Sequence, residues 1–163
     1  MTQKFYDNAQ SIPELIQLQL NQCRNPKLLN YRLLNQWEAI STEGFAESVR
    51  RLATGLHSIG IKKGDSIGII ARSSPQWLMI DLAIMLNGAV SVPMFPNISS
   101  ENFDFQRKDA EIKHLFIESD ELLDSPIRSH LSNFSKVISW SVHTRGDNVM
   151  FYEELMRLGD DFS

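Results

Sequence analysis

Two β-like runs separated by a helix of about a dozen residues constrain the fold of this chain more than any other feature. The runs are "SIGIIA" (66–71) and "AVSVPMF" (89–95), both rich in β-branched residues. Between them, Ser74 suits a helix N-cap, Pro75 suits the first helical turn, and Gly88 suits the position just after the helix. Because a helical connection returns the chain to the same edge of a sheet, the two strands are expected to be parallel.

The alternation of helices and strands continues on both sides of this unit. Apolar spacing predicts a helix over 42–59 and another from Ser99 or Ser100 to about 110. Strands are predicted at "KHLFIE" (113–118) and "KVISW" (136–140), with a short helix capped by Ser119 between them. This order is typical of a parallel sheet with right-handed crossovers. The sequence therefore predicts an α/β, flavodoxin-like, three-layer subdomain.

The N-terminal part has a different organisation. Ser11 and Glu14 form a capping box, so a helix is predicted that ends near Asn25-Pro26. The alternating runs "LLNYRLL" (28–34) and "QWEAIS" (36–41) predict a hairpin. After Trp140 we expect a loop and a last short helix, "MFYEELMRLG". The predicted organisation is a helix and hairpin over 1–41, the alternating subdomain over 42–140, and a tail over 141–163.

Composition limits the kinds of partner. The net charge of −4 and the scattered basic residues argue against nucleic acid, which requires a dense basic surface. Cys23 is the only cysteine, so no internal disulfide forms, a reducing compartment is expected, and the side chain is predicted to be buried. The longest apolar run, 77–86, contains Asp81 and is too short for a membrane span. A cytoplasmic protein is predicted, and peripheral contact with a membrane stays open.

Ligands of open parallel sheets bind beyond the carboxyl ends of the strands. Three segments are expected there: Arg72-Ser73-Ser74, Met94-Phe95-Pro96 and Glu118-Ser119-Asp120. They could border a substrate entrance, but helix capping by the serines and a turn shaped by Phe95 and Pro96 are the favoured interpretation.

Other polar residues also have structural interpretations. Ser119-Asp120-Glu121 resembles an acidic metal cluster, but a capped helix start explains it more simply. His57, His114, His130 and His143 lack metal-ligand spacing and are expected at or near the surface. Asp81 is expected to be hydrogen-bonded in the core or to face a further part of the protein, and Trp77 to anchor the core. We therefore assign no catalytic, cofactor-binding or metal-binding residue.

The predicted helix over 75–87 is apolar almost all round, with Asp81 as its only charged residue. Such a helix is normally buried on both sides. We therefore expect part of its cover to come from polypeptide outside the sequence, and we expect self-association through the uncovered apolar surface.

A series of short motifs follows in a fixed order along the chain: Phe45, Ile59-Gly60-Ile61, Gly64-Asp65, Ser74-Pro75-Gln76-Trp77, Asp81-Leu82-Ala83, Gly88-Ala89-Val90-Ser91-Val92-Pro93, Ser100-Glu101 and Asp109-Ala110-Glu111-Ile112-Lys113. Their order and spacing resemble the N-terminal part of the AMP-forming acyl-CoA synthetases, most closely the long-chain fatty-acid–CoA ligases, over roughly Ile12 to Glu121. Two departures, Gly44 in place of a capping Glu and Arg72-Ser73 in place of a polar residue followed by Asn, do not touch chemistry.

The resemblance implies an enzyme that activates a fatty acid with ATP and Mg to acyl-AMP and transfers the acyl group to CoA. The family's glycine-rich phosphate loop does not occur in 1–163, and its other catalytic motifs are expected beyond Ser163. The resemblance thus implies part of the large N-terminal domain of an adenylate-forming enzyme, inactive alone. A free-standing flavodoxin-like binding domain and a regulatory interaction protein are the alternatives.

Overall fold

The computed structural model describes residues 9–119, 121, 123 and 125–160. A one-turn 3-10 helix spans Leu131–Asn133. The helices of these residues are α1 (Ile12–Gln22), α2 (Thr42–Ser58), α3 (Pro75–Leu86), α4 (Ser100–Asp109), α5 (Ser125–Ser129) and α6 (Tyr152–Asp160). The strands are β1 (Leu29–Leu33), β2 (Gln36–Ile40), β3 (Ser66–Ile70), β4 (Val90–Met94), β5 (Ile112–Ile117), β6 (Lys136–Ser139) and β7 (Val149–Phe151).

The main sheet has five strands in the order β4-β3-β5-β6-β7, and all four pairings are parallel. Counted along the chain, this is the order 2-1-3-4-5, which is the flavodoxin-like arrangement. The predicted parallel α/β fold is therefore confirmed. The order also places the topological switch point, where chain direction across the sheet reverses, between β3 and β5.

Helices cover both faces of the sheet and create two cores. On one face α2, α3 and α6 bury a cluster that includes Leu52, Ile80 and Phe116. On the other face α4, α5 and the 3-10 turn bury a cluster that includes Phe103, Leu115 and Val137. Alternate residues of β5 point to opposite faces of the sheet, so each face has its own core. The three-layer arrangement predicted from the sequence is therefore present.

The cover of α3 comes largely from within this chain. Most of its apolar residues are buried, since α2 and α1 pack against it. Leu78 and Leu86 are its exposed apolar residues. Cover from other polypeptide stays a prediction, and it concerns only this part of the helix.

Serine caps determine where four helices begin. The hydroxyls of Ser11, Ser41, Ser74 and Ser99 each accept a backbone N–H three residues later, at 3.1–3.3 Å. The caps predicted at Ser11, Ser74 and Ser99 are confirmed. Ser119 instead accepts the N–H of Glu121 at 3.1 Å, and the short helix described in this region begins only at Ser125.

The predicted hairpin is confirmed, with Leu33 paired to Gln36 across a two-residue turn. Both turn residues, Leu34 (φ 45°) and Asn35 (φ 66°), adopt positive φ, as type I′ turns require. By contrast, Cys23 is exposed, so its predicted burial is wrong. The reason is that α1 ends at Gln22, which leaves Cys23 on the connection to β1.

The tail contains a strand that the sequence pattern did not predict. The predicted last helix is present as α6 but begins only at Tyr152. Met150 and Phe151, which the prediction placed in this helix, belong instead to β7, which pairs with β6. Three residues are too few to show a period. The loop before β7 is held by a 2.8 Å hydrogen bond between the buried hydroxyls of Ser139 and Thr144.

Candidate functional site

The carboxyl edge of the sheet, where its parallel strands end, is the candidate site. At the switch point Arg72 follows β3 and Glu118 follows β5. The Glu118 carboxylate accepts hydrogen bonds from Arg72 Nε at 2.9 Å, from Arg72 Nη2, and from the Arg72 backbone N–H at 2.9 Å. The crevice that holds ligands in folds of this order is therefore bridged by an ion pair.

The ion pair also determines the charge at this edge. Hydrogen bonds from Arg72 lower the pKa of the Glu118 carboxyl, and burial opposes that effect. The same contact raises the pKa of Arg72. The two charges therefore compensate each other at this edge, while the Arg72 side chain stays 70% exposed.

An apolar cleft of about 260 Å³ lies beside the ion pair, between the ends of β3 and β4. Trp77 is half-buried in its wall and packs against the core, so its predicted anchoring role is retained. Phe95 is 79% exposed, whereas Met94 is buried. The structure thus brings the first two predicted segments together around the cleft and joins them to Glu118 of the third; Asp120 lies outside the described residues.

The other residues predicted from the sequence do not form a site. His57 and His143 are exposed, His130 is half-buried and His114 is buried. In the part of the chain that the structure describes, no three His, Cys, Asp or Glu residues lie close enough to hold a metal ion. Asp81 is half-buried and has no hydrogen-bond or ion-pair partner among the described residues, so the expectation of a core hydrogen bond is wrong.

A larger apolar groove lies away from the carboxyl edge. It has a volume of about 490 Å³ between α1 on one side and α2 and α3 on the other. Its rim carries Glu47, whose pKa is lowered by hydrogen bonds from Arg50. No residue of α1 is fully buried, so the groove reflects a helix that is only lightly packed on the body.

His114 on β5 is buried, so the expectation that it lies at or near the surface is wrong. It is 8% exposed, and its Nδ1 atom has no hydrogen-bond partner among the described residues. Burial lowers the pKa of His114; the Asp65 carboxylate opposes this shift, while Lys113 and Lys136 reinforce it. An alternating strand pattern cannot distinguish such a histidine from one on the exposed face.

We expect stability to fall as the pH drops below about 6.5 because of His114. Its folded-state pKa lies below the unfolded value, so the unfolded chain takes up the proton first as the pH falls. The contribution is complete above the unfolded pKa and is lost as the pH falls through the folded pKa. Urea unfolding of His114→Leu should lack this slope, while the exposed control His143→Gln should retain it. An unchanged slope in His114→Leu would contradict the assignment.

The chemistry available at the carboxyl edge is limited. Arg72 and Glu118 pair with each other, Ser74 caps α3, Ser119 accepts the N–H of Glu121, and the adjoining cleft is apolar. No helix in the described ranges is long and apolar enough to cross a bilayer.

The chain is similar to a known enzyme family and to two ligases of that kind. A family model described as "AMP-binding enzyme" matches residues 19–161. The chain is 33% identical over 84 residues to long-chain-fatty-acid–CoA ligase FadD15 of Mycobacterium tuberculosis, covering 52% of the chain and 14% of that protein. It is 21% identical over 158 residues to long-chain-fatty-acid–CoA ligase ACSBG2 of Homo sapiens, covering 94% of the chain and 24% of that protein.

A solved structure shares the fold. Coronafacic acid ligase from Pectobacterium brasiliense superposes with a TM-score of 0.68 at 23% identity, covering 77% of this chain and 26% of that one. The chain thus spans about a quarter, or less, of the length of each of these proteins.

Proposed function

This chain belongs to the AMP-binding enzyme family, and from that premise we propose that it forms the N-terminal scaffold of a long-chain fatty-acid–CoA ligase. The whole protein would activate a fatty acid with ATP to acyl-AMP and then transfer the acyl group to CoA. The observation that carries the proposal is the family match over 19–161, supported by the two ligase relatives. Its location is proposed to be cytoplasmic.

Within that protein the carboxyl edge would support neighbouring polypeptide rather than perform chemistry. This part of the proposal rests on the Arg72–Glu118 pair, in which each charge is compensated, and on the apolar lining of the cleft. The contacts to those groups would come from parts of the protein outside 1–163. The proposed organisation stays 1–41, 42–140 and 141–163, with self-association through exposed apolar residues such as Phe95.

A free-standing flavodoxin-like binding domain is the second candidate, because the strand order is that of flavodoxin-like folds. The ion pair that bridges the switch point weighs against it. If such a domain held a ligand there, the ligand would have to displace Arg72 from Glu118.

Two measurements test the proposal. The 163-residue chain should show neither ATP–pyrophosphate exchange with palmitate nor calorimetric binding of ATP, FMN or acyl-CoA, with full-length FadD15 as the active control. An antibody raised against this segment should detect a polypeptide several times larger in the source cells. Micromolar binding by the chain together with a native product of its own size would overturn the ligase proposal in favour of the binding domain.

A further inference from the structure

A polar cleft with a volume of about 620 Å³ lies at the amino edge of the sheet, where its parallel strands begin. It is lined by residues of two segments, 128–132 at the end of α5 and in the 3-10 helix, and 145–148 in the loop before β7. The first segment leads into β6, and the second leads into β7. Because all strands of this sheet are parallel, the cleft is at the edge opposite to the Arg72–Glu118 pair.

Two arginines without a carboxylate partner line this cleft. Most arginines of the described residues form an ion pair, as Arg51 does with Asp160. In the part of the chain that the structure describes, Arg128 and Arg145 form none, and both are exposed. Since a guanidinium group is permanently charged in proteins, the cleft holds two cations that an incoming anion can reach.

The backbone holds both guanidinium groups in place. Arg128 Nη2 donates to the carbonyl oxygen of Leu123 at 3.0 Å. Arg145 Nη1 donates to the carbonyl oxygens of Val142 at 2.6 Å and Thr144 at 3.3 Å. Each guanidinium has five N–H donors, so each keeps donors that these bonds do not use. A side chain that is already ordered loses less conformational entropy on binding, which favours a ligand at these two arginines.

The two segments that line the cleft are joined to each other by hydrogen bonds. The side-chain amide of Asn148 donates to the carbonyl oxygens of Leu131 at 2.9 Å and Phe134 at 2.7 Å. The bond between the buried hydroxyls of Ser139 and Thr144 holds the loop that leads to the second segment. The relative position of the two arginines is therefore set by internal contacts of the fold.

The charge of the lining favours an anion. Asp147 also lines the cleft, so its carboxylate and the guanidinium groups of Arg128 and Arg145 leave one net positive charge, whereas the whole chain has a net charge of −4. The exposed hydroxyl of Ser132 on the same lining supplies a further hydrogen-bond donor. The lining thus combines two fixed cations with a neutral donor.

We propose that this cleft binds the phosphate group of a small phosphate monoester. The planar guanidinium groups of Arg128 and Arg145 match phosphate oxygens, which accept paired N–H donors, and the Ser132 hydroxyl donates to a remaining oxygen. A volume of about 620 Å³ is usual for a small-molecule site, so the organic part of the ester also has room. This site is independent of ligase activity and would persist if the proposed function were wrong.

Phosphorus NMR of methyl phosphate, titrated with the 163-residue chain, tests the proposal. The dissociation constant should be on the order of millimolar, as for a ligand of few atoms. Binding this weak is separate from the micromolar nucleotide binding that would overturn the ligase proposal. Acetate at equal ionic strength should compete poorly, because a carboxylate has two acceptor oxygens where a phosphate has three.

Matched arginine variants locate the site. Arg128→Gln and Arg145→Gln should each weaken the binding of methyl phosphate by about tenfold, because each removes charged hydrogen bonds to the ligand. Arg157→Gln is the control, since Arg157 of α6 is also exposed and has no ion pair among the described residues. Its loss should change binding by less than about twofold, because solvent and salt screen a charge that is far from the ligand.

Asp147→Asn distinguishes a binding role of the cleft from a structural one. Removal of this carboxylate takes a negative charge away from the ligand, so the affinity for methyl phosphate should rise by about threefold. A loss of structure, which circular dichroism detects, would lower the affinity instead. The proposal is overturned if methyl phosphate does not bind, if acetate binds equally well, or if the Arg128 and Arg145 variants bind like Arg157→Gln. A folded Asp147→Asn variant with weaker binding would also overturn it.

Discussion

Replacing Gly159 with alanine is expected to destabilise the protein by about 3 kcal/mol, at the upper end of the range for overpacking. A Cβ at Gly159 of α6 would lie 2.0 Å from the carbonyl oxygen of Arg51 in α2 and 2.6 Å from its carbonyl carbon. Because both atoms belong to the backbone, no side-chain rotation relieves the clash. The two helices would have to separate along their contact.

A second glycine, on the α2 side of the same helix contact, leads to a matching prediction. A Cβ at Gly55 of α2 would lie 2.3 Å from the carbonyl oxygen of Leu155 in α6, so Gly55→Ala should be destabilising for the same reason. The side chains around this contact, including Leu52, Leu56 and Leu155, are fully buried. Separation of the helices would therefore also loosen the core on this face of the sheet.

Urea unfolding followed by circular dichroism measures the change in the free energy of unfolding. Gly44→Ala is the matched control, because a Cβ at that position of α2 meets nothing closer than 3.5 Å. Since alanine is the better helix former, this control should be stabilising by about 0.5–1 kcal/mol. The close packing of α6 on α2 would be contradicted if Gly159→Ala unfolded at the same urea concentration as the unmodified chain.

This helix contact also shows why the sequence predicted some features and not others. The helical pattern of 150–159 predicted α6, and the capped, periodic segment of 42–59 predicted α2. Neither pattern indicates that Gly55 meets the backbone of Leu155 or that Gly159 meets the backbone of Arg51, since the two helices are distant in sequence and glycine suits a helix poorly by itself. The same limit applies to β7, which becomes a strand only because the edge of β6 is available.

The position of the candidate site was predictable from the sequence, but the contacts within it were not. Strands alternating with helices predict a parallel sheet, and a parallel sheet brings the segments after β3, β4 and β5 to one edge. The pairing of Arg72 with Glu118 depends on β3 and β5 being neighbours, which the order of elements in the sequence does not determine. The exposure of Cys23 and the burial of His114 likewise depend on tertiary packing, and patterns within one element do not report it.

Replacing Phe103 with alanine is expected to remove about 3–4 kcal/mol of stability, the usual cost of emptying a large aromatic site in a core. Phe103 is the only fully buried residue of α4. Its ring lies 6.1 Å from that of Phe134 in an edge-on arrangement and contacts the core that α5 and β5 share.

The remaining contacts of α4 cannot replace this side chain. Asp104 forms ion pairs with Arg107 and Lys108, and hydrogen bonds from both lower its pKa to about 2, yet all three groups lie within α4 itself. Pairs of this kind near the surface contribute little and hold nothing to the sheet. The attachment of α4 to the rest of the protein therefore depends on Phe103.

Phe105→Ala is the control within the same helix, because that ring is 65% exposed and its loss should cost less than about 0.5 kcal/mol. Denaturant unfolding should separate the two variants clearly. Hydrogen exchange should in addition show that Phe103→Ala lowers protection across α4 more than across α2, since α2 belongs to the other core. If Phe103→Ala and Phe105→Ala were equally mild, α4 would be held by contacts other than this ring.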